Sequence, residues 1–305
     1  MLALFVPWLL FVLLLFSIIL IYKRKWIWVL FLLVSVILVN RYFHCLPVNL
    51  YSLPLSNDKE KLKVMTFNIK GIESRDKARR VFNIVRKYKP DITFIPEFKG
   101  ECSFYLDSLL KTLFQYTTFP NSSCENYFYS KYLFKNYRRL TNGNDYIPGV
   151  YACDVVTAVD TVRVFGCHLA SNNYNFERQY ITPDSIQSFS DVNVYVNDIR
   201  QANKMRAEEV MTIVYDIEAR RAPFLIMGDM NDVIGSNALN KLESAGFSDA
   251  WWEDGFGYGA TISNPLPYRI DHIMYNDYFK LNSIDLIDTR GLSDHRALYA
   301  EFEYR

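Results

Sequence analysis

Two apolar runs separated by a short basic turn open the chain. Residues 2–21 carry no charge, and about 20 helical residues are enough to span a bilayer. The basic turn 23–25 follows, and a second run over residues 26–40 is again uncharged. Tryptophans begin this second run and Tyr42 follows it, as residues that anchor a helix at the membrane interface do. The pattern predicts a membrane anchor of two transmembrane helices within residues 1–46.

A cleaved secretory signal is the competing interpretation of the first run. Such a signal starts with a basic segment, which MLALFVPW lacks. Because positive residues stay in the cytoplasm, the turn 23–25 is predicted there, which places residues 47–305 outside the cytoplasm, on the periplasmic side. The second run is short, and if it did not span, the same rule would place residues 47–305 in the cytoplasm.

From Lys61 onward, short β-type runs alternate with amphipathic helical patterns. Residues 47–60 contain two prolines and a polar tail and are predicted to be a linker. Strands are predicted at 62–69, 91–97, 127–134, 149–156, 162–170, 223–229, 269–275 and 295–304, and helices at 76–87, 103–114 and 192–219. The runs 149–156 and 162–170 are predicted to form a hairpin. Hairpins do not fit a purely parallel sheet, so we expect an α/β (α+β) sandwich of mixed sheets over residues 61–305.

The charge of residues 61–305 and the spacing of the cysteines limit the classes of function that the chain can have. Residues 61–305 contain 29 basic and 31 acidic residues. This balance excludes a domain that holds nucleic acid by bulk positive charge, but not a nuclease whose contacts surround a metal. The five cysteines have no zinc-binding spacing. They are either small buried residues or, in an exported domain, disulfide partners.

Polar residues end or interrupt the apolar runs at six places. They are Asn68, Glu97, His168, Asp229 with Asn231, Asp271 with His272, and Asp294 with His295. A cap, a turn or a sheet edge explains any one of them, but six together indicate a site at one rim of the sheets. Carboxylate and amide oxygens suit Mg²⁺ or Mn²⁺, and histidines beside a metal transfer protons. The set predicts metal-assisted attack of water on a phosphoryl group.

The motifs around these residues resemble a known superfamily. TFNIKG, DITFIPEF, GCHLAS, LIMGDMND, RIDHI and LSDHRAL occur in this order, and this series is similar to that of the endonuclease/exonuclease/phosphatase superfamily, which includes deoxyribonuclease I. The resemblance covers about residues 61–305. It implies a four-layer sandwich of two mixed β-sheets flanked by helices. It also implies that Glu97 is the principal metal ligand, with Asn68 beside it and Asp294 on the metal side.

The resemblance further implies the catalytic roles. His295, oriented by Asp271, would act as general base or hold the water and the phosphate. Asp229 would position or deprotonate the attacking water, and Asn231 would donate hydrogen bonds to the phosphoryl oxygens. His168 would stabilise developing charge or protonate the leaving oxygen. The neighbours of these residues, His272 and Asp232, are expected to be structural, His272 because alternation turns it to the other face and Asp232 as a turn or helix cap.

Three functions remain open at this stage. The first is a phosphodiesterase acting on nucleic acid or nucleotides, and the second is a lipid phosphodiesterase of the sphingomyelinase kind working on the bilayer. The third, a non-catalytic tethered module, is disfavoured because such a module does not need both histidines and Asp271. The aromatic segment 251–258 (WWEDGFGY) would touch bases or lipid, or fill the core beneath a loop.

Overall fold

Two apolar helices precede the sheets in the structure, a computed structural model that describes residues 2–49, 60–118, 125–141, 149–172, 189–218, 220–263 and 266–305. A short 3-10 turn (Leu2–Phe5) leads into α1 (Val6–Tyr22), and α2 (Trp26–Phe43) packs against α1. The stretches Ala3–Tyr22 and Trp26–Phe43 are long and apolar enough to cross a membrane, by length and composition. Most of the predicted linker and Cys124 lie outside the described residues.

The first sheet has the strand order β11-β12-β1-β2-β4-β3 among the described residues. Its strands are β1 (Lys61–Thr66), β2 (Ile92–Ile95), β3 (Tyr116–Thr117), β4 (Tyr127–Ser130), β11 (Phe279–Ile287) and β12 (Ala297–Tyr304). β1 and β2 are parallel, and the other pairs are antiparallel. Helices α3 (Arg75–Tyr88) and α4 (Ser103–Leu110) cover its outer face through a shared apolar cluster.

The second sheet has the order β5-β6-β7-β8-β10-β9 in the same described segments. Its strands are β5 (Leu133–Arg139), β6 (Gly149–Val156), β7 (Thr161–His168), β8 (Phe224–Asp229), β9 (Ser248–Asp249) and β10 (Asp271–Tyr275). β6 and β7 form the predicted hairpin, and β7 and β8 are parallel. Helices α5 (Phe189–Glu218) and α6 (Asn237–Ser244) cover the outer face, and the short α7 (Ala250–Asp254) follows β9.

The inner faces of the two sheets share one apolar core. Phe94 and Phe128 of the first sheet pack there with Val164 and Met227 of the second. A side chain at Gly166 would lie within 2.5 Å of both phenylalanine rings, so the missing Cβ lets the sheets approach. The predicted four-layer sandwich of two mixed sheets flanked by helices is confirmed.

Several predicted boundaries differ from the structure. The run 127–134 divides at residues 131–132 into β4 and β5, which belong to different sheets. The helix predicted over 103–114 ends at Leu110. Strand β11 was not predicted, because its sequence FKLNSIDLI mixes polar residues into both faces of an edge strand.

Candidate active site

The polar strand ends lie at one rim because parallel neighbours end on the same side. Asn68 and Glu97 each lie two residues beyond the parallel strands β1 and β2. In the second sheet, His168 of β7 lies opposite Asp229 of β8, and Asp271 of β10 lies opposite Asp229 on the other side. Asp229 is therefore the central residue of this rim.

Asn68 joins the two sheets at the rim. Its side-chain amide donates to Glu97 Oε1 at 2.9 Å and to Asp229 Oδ2 at 3.0 Å. Glu97 has a φ of +52°, a left-handed conformation that costs free energy in a non-glycine residue and is typical of functional sites. The carboxylates of Glu97 and Asp229, which come from opposite sheets, are thus held together by hydrogen bonds to the same amide.

Two clusters of potential metal ligands share Asp229. Ligand atoms of Glu97, His168 and Asp229 lie within 4.8 Å of one another, as do those of Asp229, Asp271 and His295. His168 Nε2 is 3.9 Å from Glu97 Oε1. In the first cluster the carboxylates of Glu97 and Asp229, with the side chain of Asn68 beside them, form a donor set that fits a divalent cation such as Mg²⁺ or Mn²⁺.

His295 and Asp271 form a buried pair beside this cluster. His295 Nδ1–H donates to Asp271 Oδ2 at 2.8 Å, and His295 Nε2 lies 3.7 Å from Asp229 Oδ2. Burial alone would lower the pKa of His295, but the charges of Asp271 and Asp229 raise this pKa to about 10. The imidazole is therefore held as a cation when the site is free of ligand.

Gly228 and Asn231 shape the turn that presents Asp229. Gly228 has a φ of +141°, and a Cβ there would lie 2.0 Å from the carbonyl oxygen of Cys167, so only glycine fits this close approach. The Asn231 N–H donates to Asp229 Oδ1 at 2.9 Å, and its side-chain amide donates to the carbonyl of Leu169. Burial raises the pKa of Asp229 above its usual range.

Asp294 lies at the same rim but outside both clusters. Its carboxylate accepts from Lys70 Nζ at 2.6 Å. Burial would raise the pKa of Asp294, but the hydrogen bond from Lys70 and the charge of His295 lower it below its usual value. Lys70 is a rim residue that the sequence reasoning missed, although it follows Asn68 directly in TFNIKG.

Sequence reasoning also missed two residues of α5 that hold the turns after His168 and Asp229. Arg206 is fully buried and donates to Asp232 Oδ2 at 3.1 Å and to the Ala170 carbonyl at 2.8 Å. Glu209 accepts from the Ala170 N–H at 3.0 Å. These contacts fix the turns after His168 and Asp229. Asp232 is thus an ion-pair partner and caps no described helix, since α6 begins after Ser236.

His272 points away from Asp271, as alternation predicts. Its Nδ1 lies 2.9 Å from Asp249 Oδ2, and its Nε2–H donates to the Asp232 carbonyl at 3.1 Å. Arg269 donates to both oxygens of the same Asp249. The sequence gives no signal for this network because Asp249 lies 23 residues from His272. Through the Asp232 carbonyl, this network supports the turn after Asp229.

The rim cluster combines carboxylates and imidazoles, which are the groups that hydrolysis of a phosphoester uses. Residues 65–295 match the profile of the Endonuclease/Exonuclease/phosphatase family. The chain belongs to this family, so the resemblance seen in the motifs is confirmed. No match to a curated protein was found.

Solved structures show the same fold at low sequence identity. An endonuclease/exonuclease/phosphatase from Beutenbergia cavernae is 18% identical, with a TM-score of 0.55 over 81% of this chain and 72% of that one. Human Nocturnin, in a catalytic-domain structure with bound sulfate, is 14% identical, with a TM-score of 0.58 over 87% and 99%. TDP2 from D. rerio, solved with a single-strand DNA product, is 16% identical, with a TM-score of 0.56 over 80% and 99%.

Proposed function

We propose that the protein is a membrane-anchored phosphodiesterase that uses Mg²⁺ or Mn²⁺ and attacks phosphorus with water. The observation that carries this proposal is the position of Asp229 between two groups. On one side lie Glu97 and His168, and on the other lies the His295–Asp271 pair. A carboxylate placed in this way can hold a water molecule beside a bound phosphate.

Each residue of the rim has a role in this proposal. Glu97 and Asn68 would hold the cation, and Asp294 would join them if Lys70 released its carboxylate. The cation, when bound, stabilises negative charge on the phosphoryl oxygens. Asp229 orients the attacking water and accepts its proton, which its raised pKa favours.

The remaining groups act on the phosphate and the leaving oxygen. The His295 cation, held by Asp271, binds a phosphoryl oxygen. Asn231 donates a hydrogen bond to the phosphate when its amide turns from Leu169. As water bonds to phosphorus and the ester P–O bond breaks, His168 gives a proton to the leaving oxygen.

Nucleic acid or a nucleotide is the proposed substrate class. Its support is family membership and the fold shared with TDP2, whose D. rerio structure holds a single-strand DNA product. Phospholipid is the second candidate, and the observation that favours it is the apolar hairpin α1–α2. In this proposal residues 2–46 sit in the bilayer and residues 47–305 face the periplasm or its equivalent.

A substrate panel tests the activity. The full chain in detergent with Mg²⁺ is assayed on DNA, RNA, sphingomyelin and bis(p-nitrophenyl) phosphate, with Glu97→Gln as the matched variant. Glutamine keeps the Asn68 hydrogen bond but loses the charge. We expect hydrolysis of at least one phosphodiester, its loss in excess EDTA, and its loss in Glu97→Gln. Full turnover in EDTA would contradict the metal requirement, and no hydrolysis of any substrate would contradict the proposal.

A further inference from the structure

The segment that leaves α2 packs directly on the catalytic domain. The rings of His44 and Trp252 stack at 4.5 Å between centroids. The side-chain amide of Asn49 donates to the carbonyls of Trp252 and Gly255, both at 3.0 Å. The Gly257 N–H donates to the Pro47 carbonyl at 2.9 Å. Residues 44–49 are therefore docked on the domain.

The chain also turns back beside the last turn of α2. The side chain of Asn40 donates to the Leu46 carbonyl at 2.8 Å and accepts from the Leu46 N–H at 2.7 Å. His44 closes the helix with a φ of +51°. These bonds hold Leu46 level with the last turn of α2, and Val48 follows two residues later. The end of a membrane-spanning helix lies at the level of the lipid headgroups.

Two exposed apolar side chains meet at this level. Val48 and Phe256 form an isolated antiparallel bridge, and 68% and 64% of their surfaces are exposed. Neighbouring Trp251 is buried in the core between the sheets. Within the aromatic segment 251–258, Phe256 is therefore exposed to the outside. It pairs with Val48, which lies in the segment that connects α2 to the domain.

A polar cavity adjoins this apolar pair. Its volume is about 500 Å³, and its lining includes Arg41, His44, Asn49, Glu243, Trp252 and Glu253. Both signs of charge are present, as they are among phosphate and amine headgroups. Trp and Tyr rings are also favoured at this depth, and Tyr42 is exposed beside it.

We propose that Val48, Phe256 and this cavity form a membrane-contact face that rests on the phospholipid bilayer. Val48 and Phe256 enter the boundary between headgroups and acyl chains, and the cavity lies among the headgroups. The proposal rests on the membrane anchoring proposed above. It adds that the catalytic domain itself touches the lipid in one fixed orientation.

The membrane-contact face is joined to the catalytic rim by a short loop. Ile262 forms a bridge with His295, and the Arg296 N–H donates to the Thr261 carbonyl at 2.7 Å. Ile262 is six positions after Phe256, and an extended chain over six positions covers at most about 22 Å. His295 of the rim therefore lies beside a residue that is at most about 22 Å from Phe256.

Nitroxide labels on the full chain in phosphatidylcholine nanodiscs test this face. Phe256→Cys and, as a second variant, Val48→Cys carry the label on the proposed face. Ile37→Cys reports on α2, and Phe104→Cys on α4, whose side chain is 83% exposed on the outer layer of the other sheet. The unsubstituted protein gives the background from native cysteines. Power-saturation EPR compares access to oxygen, which concentrates in lipid, with access to a water-soluble nickel chelate.

The four labelled positions distinguish the possible failures. We expect oxygen to be favoured at residues 37, 256 and 48, and the nickel chelate to be favoured at residue 104. Lipid exposure at residue 37 with water exposure at both 256 and 48 would overturn the contact face while leaving the anchor intact. Water exposure at residue 37 would overturn the anchor, and the contact face with it.

Discussion

His295 Nδ1 lies 2.8 Å from Asp271 Oδ2, and both side chains are buried at the rim of the second sheet. The pair is close enough for Asp271 to fix both the orientation and the charge of the imidazole. Because Asp271 comes from β10 and His295 precedes β12, this contact also links the two sheets. The geometry of the candidate site therefore depends on the way the two sheets pack.

Asp271→Asn should lower activity because the cationic form of His295 becomes less stable. The amide keeps a hydrogen-bond acceptor but removes the negative charge, so the pKa of His295 should fall from about 10 toward its ordinary value. We expect kcat to fall roughly 10²-fold at pH 8 and the alkaline limb of the pH–rate profile to move to lower pH. Asp277→Asn, an exposed carboxylate after the same strand, is the matched control. A gain of activity at acid pH would instead show that neutral His295 is the base.

Substitution of the three histidines near the rim should have clearly different effects on kcat. His168→Ala and His295→Ala should each lower kcat by roughly 10²-fold or more, the usual effect of removing a placed acid, base or charge. His272→Ala should lower kcat far less, because its ring faces Asp249 and the Asp232 carbonyl. Circular dichroism before each assay confirms that the variants are folded. Equal losses for His272→Ala and His295→Ala would show that the roles are wrongly assigned.

The strand-end residues were predictable from sequence because each ends, interrupts or directly precedes an apolar run. Gly228 and Asp229 end a buried strand, and parallel pairing then decides that Asp229 meets His168. The family motifs add the order of the strands, and so the sandwich. The two apolar helices were predictable for a similar reason, since an uncharged run of about 20 residues has few alternative structures.

The supporting residues were not predictable because their partners are distant in sequence. Arg206 and Glu209 lie on a long amphipathic helix, where charged residues ordinarily face water. Only the packing of α5 on the second sheet brings them to Ala170 and Asp232. The contact between Lys70 and Asp294 spans 224 residues and depends on the pairing of β1 with β12.

Glu209 should make stability fall as pH rises. Burial raises the pKa of Glu209 to about 7, so between about pH 4.5 and 7 the folded state binds a proton that the unfolded state has lost. The contribution of Glu209 to the free energy of unfolding is fully present below the pKa of the unfolded state. It is lost as the pH rises through the pKa of the folded state, and the loss is at most about 3 kcal/mol. Thermal unfolding in detergent at pH 5 and pH 8 should show a smaller decrease for Glu209→Gln than for the unsubstituted chain. The exposed neighbour variant Glu208→Gln should behave like the unsubstituted chain, and an unchanged decrease in Glu209→Gln would contradict this origin.

Topology decides which substrates the rim can meet. The basic turn 23–25 lies between α1 and α2, and retention of this turn in the cytoplasm would place both ends of the hairpin on the other side. Alkaline phosphatase fused after Arg305 should then be active, and a fluorescent protein that folds only in the cytoplasm should be dark at the same position. Replacing Lys23, Arg24 and Lys25 with asparagine should weaken this preference, because the charge that retains the turn is gone.

With the exported orientation, the substrates are extracellular nucleic acid, nucleotide esters or the outer leaflet. The reverse reporter pattern would place the rim in the cytoplasm, where intracellular nucleic acid and nucleotides become the substrates to test first.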